Sequence, residues 1–162
     1  MGAATDVATL DKDTLVVRKR TVKQGPAVIN LDFAGDKATG TMSMNGTDKP
    51  ISADLGGPLF ADAAGSQQAL GTLPLADGYT TTFRNFDVQK QKVKLMQLTV
   101  AGVESVTVPA GTFEAYKVEV SSADGGSDKA TVWIAKDTRQ PVKSSMTMAS
   151  MGGAILTTEL MP

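Results

Sequence analysis

Apolar and polar residues alternate along most of this chain, and this period of two residues constrains its fold more than any other feature. In 27–33 every second residue is apolar, so one face of a strand would be buried and the other solvated. Asn45-Gly46 follows a second alternating segment and suits the positive φ angles of a tight hairpin turn. The pattern predicts an all-β, mainly antiparallel fold.

About ten segments carry this pattern, and turn residues separate them. Strand twist accumulates over so many neighbouring strands, so the sheet must curl into a barrel or curve over a helix. We expect a curved half-barrel that forms a single domain over residues 1–162. The predicted strands cover 15–23, 27–33, 37–44, 49–55, 79–87, 91–100, 113–121, 129–135, 142–149 and 154–161.

The segment 59–70 interrupts the strand pattern. It is rich in Ala, Ser and Gln and contains no β-branched residue, a composition that favours helix. Gly65 weakens the helical pattern, so we expect one or two short helical turns. This segment is well placed to plug one mouth of a half-barrel.

Composition excludes several classes of function. The chain has no Cys and no His, which removes disulfides, thiol chemistry and imidazole-based catalysis. A net charge of −1 gives no overall field for nucleic acid, and no apolar run reaches the roughly 18 residues of a membrane helix. We therefore predict no nucleic-acid partner, no membrane span, no metal and no cofactor.

Other catalytic arrangements are also poorly supported. The glutamates at 104, 114, 119 and 159 are scattered singly, so paired carboxylates for acid–base chemistry are not indicated. Lys143 and Ser144 are adjacent, which on a strand sends their side chains to opposite faces. We predict no catalytic residue and a protein that is not an enzyme.

Methionine is unusually frequent, with eight residues against one Trp, two Tyr and five Phe. Pairs of methionines share strand faces, and flexible, polarisable thioethers suit a surface that accepts varied apolar ligands. The same side chains can instead fill a core that has few aromatic residues, and both interpretations stay open. The predicted ligand-binding residues are Phe33, Met42, Met44, Met96, Leu98, Tyr116, Met146 and Met148.

One segment resembles a known group of proteins. The sequence VPAGTF at 108–113, followed by Tyr116-Lys117-Val118, resembles uncharacterised bacterial envelope domains that have a curved β-sheet. Trp133-Ile134-Ala135 and Pro141-Val142-Lys143 extend the resemblance over about residues 103–143. These domains are similar in fold to periplasmic lipoprotein carriers, an unclosed β-barrel around a helical plug. They also occur as accessory domains of secreted bacterial hydrolases.

Two functions follow as expectations. The first is a non-catalytic binding module that holds a lipid, acyl chain or peptide on the concave face of the sheet. The alternative is a structural accessory domain without ligand, covalently linked to a secreted hydrolase. The resemblance implies a periplasmic or secreted location, with the leader absent from this chain.

Overall fold

The computed structural model describes residues 4–62, 66–88, 90–127, 129–148 and 152–162. Within them the regular secondary structure is almost entirely β, with eleven strands and one short helix. Every strand pair whose register is described is antiparallel, which confirms the predicted fold class. The elements are β1 (Ala4–Leu10), β2 (Val17–Gln24), β3 (Ala27–Ala34), β4 (Lys37–Met44), β5 (Thr47–Asp54), α1 (Ser66–Leu70), β6 (Thr80–Asp87), β7 (Lys92–Val108), β8 (Gly111–Ser122), β9 (Lys129–Ala135), β10 (Pro141–Met148) and β11 (Ala154–Glu159).

The strands form two sheets rather than one. The first is a five-stranded meander in the order β1-β2-β3-β4-β5, and the second has six strands in the order β11-β10-β9-β8-β7-β6. Neither sheet closes on itself in this order, so a half-barrel of about ten strands is not confirmed. The one described helix, α1, falls inside the segment predicted to be helical, and residues 63–65 lie outside the described part.

Contacts between residues divide the chain into two compact units. The first unit comprises Met1–Ser66 and Arg84–Lys94, and the second comprises Gln67–Phe83 and Leu95–Pro162. The whole five-stranded sheet belongs to the first unit and β8 to β11 belong to the second, while β6 and β7 run through both. The single domain over 1–162 stays a prediction.

The first unit has an apolar core on one face of its sheet. Alternation places Ile29, Leu31 and Phe33 on this face, where all three are buried. Phe33 meets Phe86 edge to face with ring centroids 6.3 Å apart, a favoured aromatic geometry. The other buried members of the cluster are Val17, Ala38, Ile51, Leu55, Leu59 and Val88.

Most of β7 lies in the second unit, and this strand is longer than the one predicted from the sequence. β7 runs from Lys92 to Val108 in one piece, whereas the predicted strand ended at 100. The pairing register of β7 with β8 shifts between Val100 and Gly102, so β7 bulges here instead of ending. Gly102 has a φ of 148°, which glycine tolerates. The break in the pattern was therefore a bulge within one strand.

The VPAGTF segment forms the turn between β7 and β8. Pro109 and Ala110 are the turn residues, and Val108 pairs with Gly111, whose φ is 136°. The hydroxyl of Thr112 contacts the hydroxyl of Thr107 at 3.0 Å across the turn. The motif is thus a tight reversal in the second unit.

Candidate functional site

The apolar face of the five-stranded sheet becomes exposed toward the turn between β4 and β5. Leu31 and Ile29 are buried, the neighbouring Met42 is half-buried, and Met44 is 50% exposed. Met42 pairs with Ile29 across the strands and packs against the core, and Met44 lies on the same face of the sheet. Asn45 follows with a φ of 51°, as the predicted Asn-Gly hairpin turn requires.

A hollow of about 330 Å³ lies at this open end of the face. Its walls come from both strands of one hairpin, because Met42 pairs with Lys49 and Met44 pairs with Thr47. Its volume is at the lower end of the range for small-molecule sites. The lining residues are Met42, Met44, Asn45, Thr47 and Lys49.

The chemistry of this methionine hollow is amphipathic. Two thioether side chains offer a polarisable apolar wall that adapts to the shape of a ligand. The ammonium of Lys49 is exposed on the same face, and within the described residues no carboxylate forms an ion pair with it. The hollow therefore combines an apolar surface with one positive charge at its rim.

A second cleft of about 420 Å³ lies at the opposite end of β3 and β4, and Phe33 contributes to its wall. Phe33 pairs with Ala38, which precedes Met42 by four residues, or roughly 13 Å along a strand. Phe33 and the two methionines thus line two separate depressions of one sheet. The lining residues of the cleft are Thr14, Val16, Val17, Arg18, Phe33, Gly35, Asp36, Leu55, Gly57, Pro58 and Leu59.

A carboxylate organises the loop that forms one wall of this cleft. Asp11 accepts hydrogen bonds from the backbone N–H and the hydroxyl of Thr14, at 3.0 and 2.9 Å, and from the backbone N–H of Asp13. Arg18 donates to its other oxygen at 3.1 Å. The bonds from Thr14, followed by the contact with Arg18, hold the pKa of Asp11 well below its usual value. These contacts therefore favour the ionised form of Asp11.

A buried polar network lies on the same face and was not foreseen from the sequence. Arg20 donates two hydrogen bonds to Asp6, from Nε at 3.0 Å and from Nη2 at 2.8 Å. Its Nη1 lies 3.7 Å from Asp62, a buried carboxylate that also accepts the backbone N–H of Phe86 at 3.1 Å. The run of basic residues at 18–20 is typical of a solvated strand face, and the structure corrects this interpretation for Arg20.

A family model described as "Protein of unknown function (DUF3108)" matches residues 1–160. The chain belongs to the DUF3108 family. No curated protein and no solved structure matches it. A family of unknown function is consistent with the predicted resemblance to an uncharacterised domain.

The remaining predicted site residues of this DUF3108 chain lie in the second unit. Met96 and Leu98 are buried on β7, and the ring of half-buried Tyr116 is covered by the guanidinium of Arg139 at 5.1 Å. Met146 is exposed on β10. The side chain of Met148 lies outside the described residues. Of the eight predicted residues, Met42 and Met44 alone line the methionine hollow.

The adjacent Lys143 and Ser144 of the DUF3108 chain point to different surroundings. The Nζ of Lys143 lies 5.9 Å from the ring centroid of Trp133. The hydroxyl of Ser144 is buried, 2.6 Å from that of Thr158, and accepts a hydrogen bond from Gln67 at 3.1 Å. Strand alternation thus separates the two side chains, as the sequence indicated.

Two further observations concern the described part of this DUF3108 chain. None of its acidic side chains form a group of three or more that could hold a metal ion. Its one helix, α1, has five residues, and no described helix has the length and apolar character to span a membrane.

Proposed function

We propose that the protein is a non-catalytic binding module that holds an amphipathic ligand, an acyl chain with an anionic head group, in the methionine hollow. The observation that carries the proposal is the pairing of Met42 with Lys49 across β4 and β5. This pairing places an adaptable apolar wall directly beside a positive charge. An acyl carboxylate matches both features, with its chain along Met42 and Met44 and its head group at Lys49.

Burial of the acyl chain supplies most of the binding free energy. Each buried methylene contributes about 0.8 kcal/mol, which corresponds to about fourfold in affinity. About ten buried methylenes would supply roughly 8 kcal/mol, and the cost of association reduces this free energy. The exposed charge of Lys49 adds less, about 0.3–1 kcal/mol. The affinity should therefore depend steeply on chain length and weakly on the head group.

The test is a calorimetric titration of delipidated protein with saturated fatty acids of increasing chain length. We expect saturable binding at micromolar ligand, with affinity rising about fourfold per methylene until the hollow is filled. Met44→Asp should strongly weaken this binding, because it replaces part of the apolar wall by a carboxylate that repels the anionic head group. Lys49→Met should weaken carboxylate binding about two- to fivefold and leave the binding of the corresponding alcohol unchanged.

Lys37→Met is the matched control for Lys49→Met. Lys37 is an exposed lysine on β4, and its odd position places it on the sheet face opposite to Met42 and Met44. Removal of this charge should not alter the affinity. The proposal fails if no fatty acid binds saturably, or if Lys37→Met and Lys49→Met weaken binding equally.

A second candidate function is a ligand-free structural accessory domain of a secreted hydrolase. It is favoured by the burial of Phe33, Met96 and Leu98, three residues predicted to contact a ligand. A coding sequence that continues upstream into a catalytic domain, together with no binding of fatty acids, would support this candidate. Saturable binding at the methionine hollow would exclude it.

The half-barrel shape and the periplasmic or secreted location are part of the proposal. The half-barrel rests on the twist expected for so many neighbouring strands and on the resemblance of the VPAGTF segment to bacterial envelope domains, and the location rests on that resemblance alone. Fractionation of cells that produce the protein from its natural gene should place it in the periplasm or the medium. Recovery in the cytoplasm alone would overturn the proposed location.

A further inference from the structure

β11 is an exposed edge strand with apolar side chains on both of its faces. All six of its residues are exposed, Ile155 by 69% and Leu156 by 52%. It pairs with β10 on one side, and within the described residues no strand pairs with its other side. The strand therefore has an open edge beside exposed apolar side chains.

The hydrogen-bond pattern between β10 and β11 determines which backbone groups of β11 point to the open edge. The N–H of Leu160 donates to the carbonyl of Val142 at 2.8 Å. In an antiparallel pair the residues that face the partner strand alternate with those that face away. The N–H and C=O groups of Ile155, Thr157 and Glu159 therefore point to the open edge, and a further strand can pair with them.

Charge does not protect this edge. The one charged residue of β11 is Glu159, which is ion-paired with Lys143 at 2.9 Å. Edge strands are usually kept from pairing by charged residues, by proline or by inward-pointing charges. β1 has such an inward-pointing charge in Asp6, and β5 carries Pro50 with several charged residues. β11 lacks these features.

The side chains of β11 suit pairing with a second copy of the same strand. Leu156 lies directly opposite Met146, which is also exposed, and Met146 in turn lies opposite Ala130. A two-fold axis at Leu156 would place it against the second copy's Leu156, in the closer, non-hydrogen-bonded pair of the ladder. The apolar row would then continue across the axis, and Glu159 would not meet another carboxylate.

We propose that two copies of the chain associate through antiparallel pairing of β11 with the second copy's β11, centred on Leu156. The proposal is independent of the methionine hollow, which lies on the other sheet. One strand and a few apolar side chains from each copy make a small interface, so the dimer should be weak and transient.

Sedimentation velocity over a concentration series up to about 500 μM tests for the dimer, because a weak interface forms only at high protein concentration. We expect the wild type to shift from monomer to dimer, and Leu156→Lys to remain monomeric because two ammonium groups would face each other at the axis. Val7→Lys is the control, since Val7 is 55% exposed on β1, the edge strand of the other sheet. This control should dimerise like the wild type.

Single cysteines test the register, because the chain has none of its own. Leu156→Cys should form an intermolecular disulfide under mild oxidation, since non-hydrogen-bonded pairs bring Cα atoms to about 4.5 Å, within disulfide reach. Val7→Cys should not. A strictly monomeric wild type overturns the proposal, and so does a dimer that persists in Leu156→Lys. Equal cross-linking of the two cysteine variants overturns the register.

Discussion

Gly40 of β4 lies against the backbone of Asn30 on the neighbouring strand, and a Cβ atom at Gly40 would overlap the carbonyl oxygen of Asn30. The same Cβ would come within 3.0 Å of the Cα of Leu31, the residue that pairs with Gly40. Both neighbours are backbone atoms in the centre of a sheet, so they cannot move independently. Glycine at this position allows the close approach of β3 and β4.

Gly40→Ala should therefore destabilise the protein, although alanine is normally more favourable than glycine within a strand. We expect a loss of about 1–3 kcal/mol in the free energy of unfolding, measured by urea denaturation, because the strands must separate to admit the methyl group. Thr41 lies on the exposed opposite face, and Thr41→Ala should change the free energy of unfolding by less than about 1 kcal/mol. If Gly40→Ala and the wild type are equally stable, β3 and β4 do not approach each other at Gly40 as closely as the structure shows.

The network around Arg20 predicts a large effect from one charged residue. Arg20→Met should lower the free energy of unfolding by about 2–3 kcal/mol, because it removes the contact of Arg20 with the buried carboxylate of Asp62 and both hydrogen bonds to Asp6. This estimate lies below the range for a fully buried pair because Asp6 is partly exposed.

Lys19→Met provides the comparison on the same strand. Lys19 forms an ion pair with Asp32 at 3.2 Å, and both side chains are largely exposed. Such surface pairs contribute about 0–1 kcal/mol, so this variant should be close to the wild type in stability. If the two variants are equally stable in chemical denaturation, the Arg20 network does not stabilise the fold.

The ionised Asp11 predicts a pH dependence of stability. Its folded-state pKa is lowered, so its contribution is fully present above the unfolded-state pKa of about 3.9 and is lost as the pH falls toward the folded-state value. The difference in unfolding free energy between wild type and Asp11→Asn should stay constant from about pH 7 to about pH 5 and shrink below about pH 4. Urea denaturation at each pH measures it.

Asp13→Asn controls for the general effect of acid on the loop. The Asp13 carboxylate contacts Lys12 at 3.8 Å, and both side chains are highly exposed. Its difference from the wild type should be small at every pH. A pH-independent difference for Asp11→Asn would mean that the ionised carboxylate does not hold the loop.

The sequence predicted the hairpins well because adjacent strands depend on local patterns. β3, β4 and β5 follow from alternation and from the turn signals at 34–36 and at Asn45-Gly46, and these features act over a few residues. The separation of the strands into two sheets depends on the pairing of segments that are distant in sequence. Alternation within one segment carries no information about that pairing. A curved single sheet and two sheets therefore give the same local pattern.

β1 was missed for a different physical reason. Its inward-facing residues include Asp6 and Ala8, so the segment lacks apolar alternation. Asp6 can face inward because Arg20 pairs with it from β2, and an ion pair between distant residues leaves no periodic signal. The same pair explains why Arg20 seemed to belong to a solvated basic cluster.

The candidate site was predicted in part. The methionines at 42 and 44 were selected because they share a strand face, and this relationship holds in β4. Lys49 was not selected, because its position beside Met42 depends on the register of β4 and β5. The two-residue turn Asn45-Gly46 places Met44 opposite Thr47. This register predicts Lys49 opposite Met42.

The methyl groups of the eight methionines provide the most direct test of ligand binding in the methionine hollow. Delipidated protein labelled with ¹³C at the methionine methyl groups can be titrated with dodecanoate and followed by NMR. We predict saturable shifts for Met42 and Met44, and unchanged resonances for buried Met96. Unchanged Met42 and Met44 resonances at saturating dodecanoate would contradict the account.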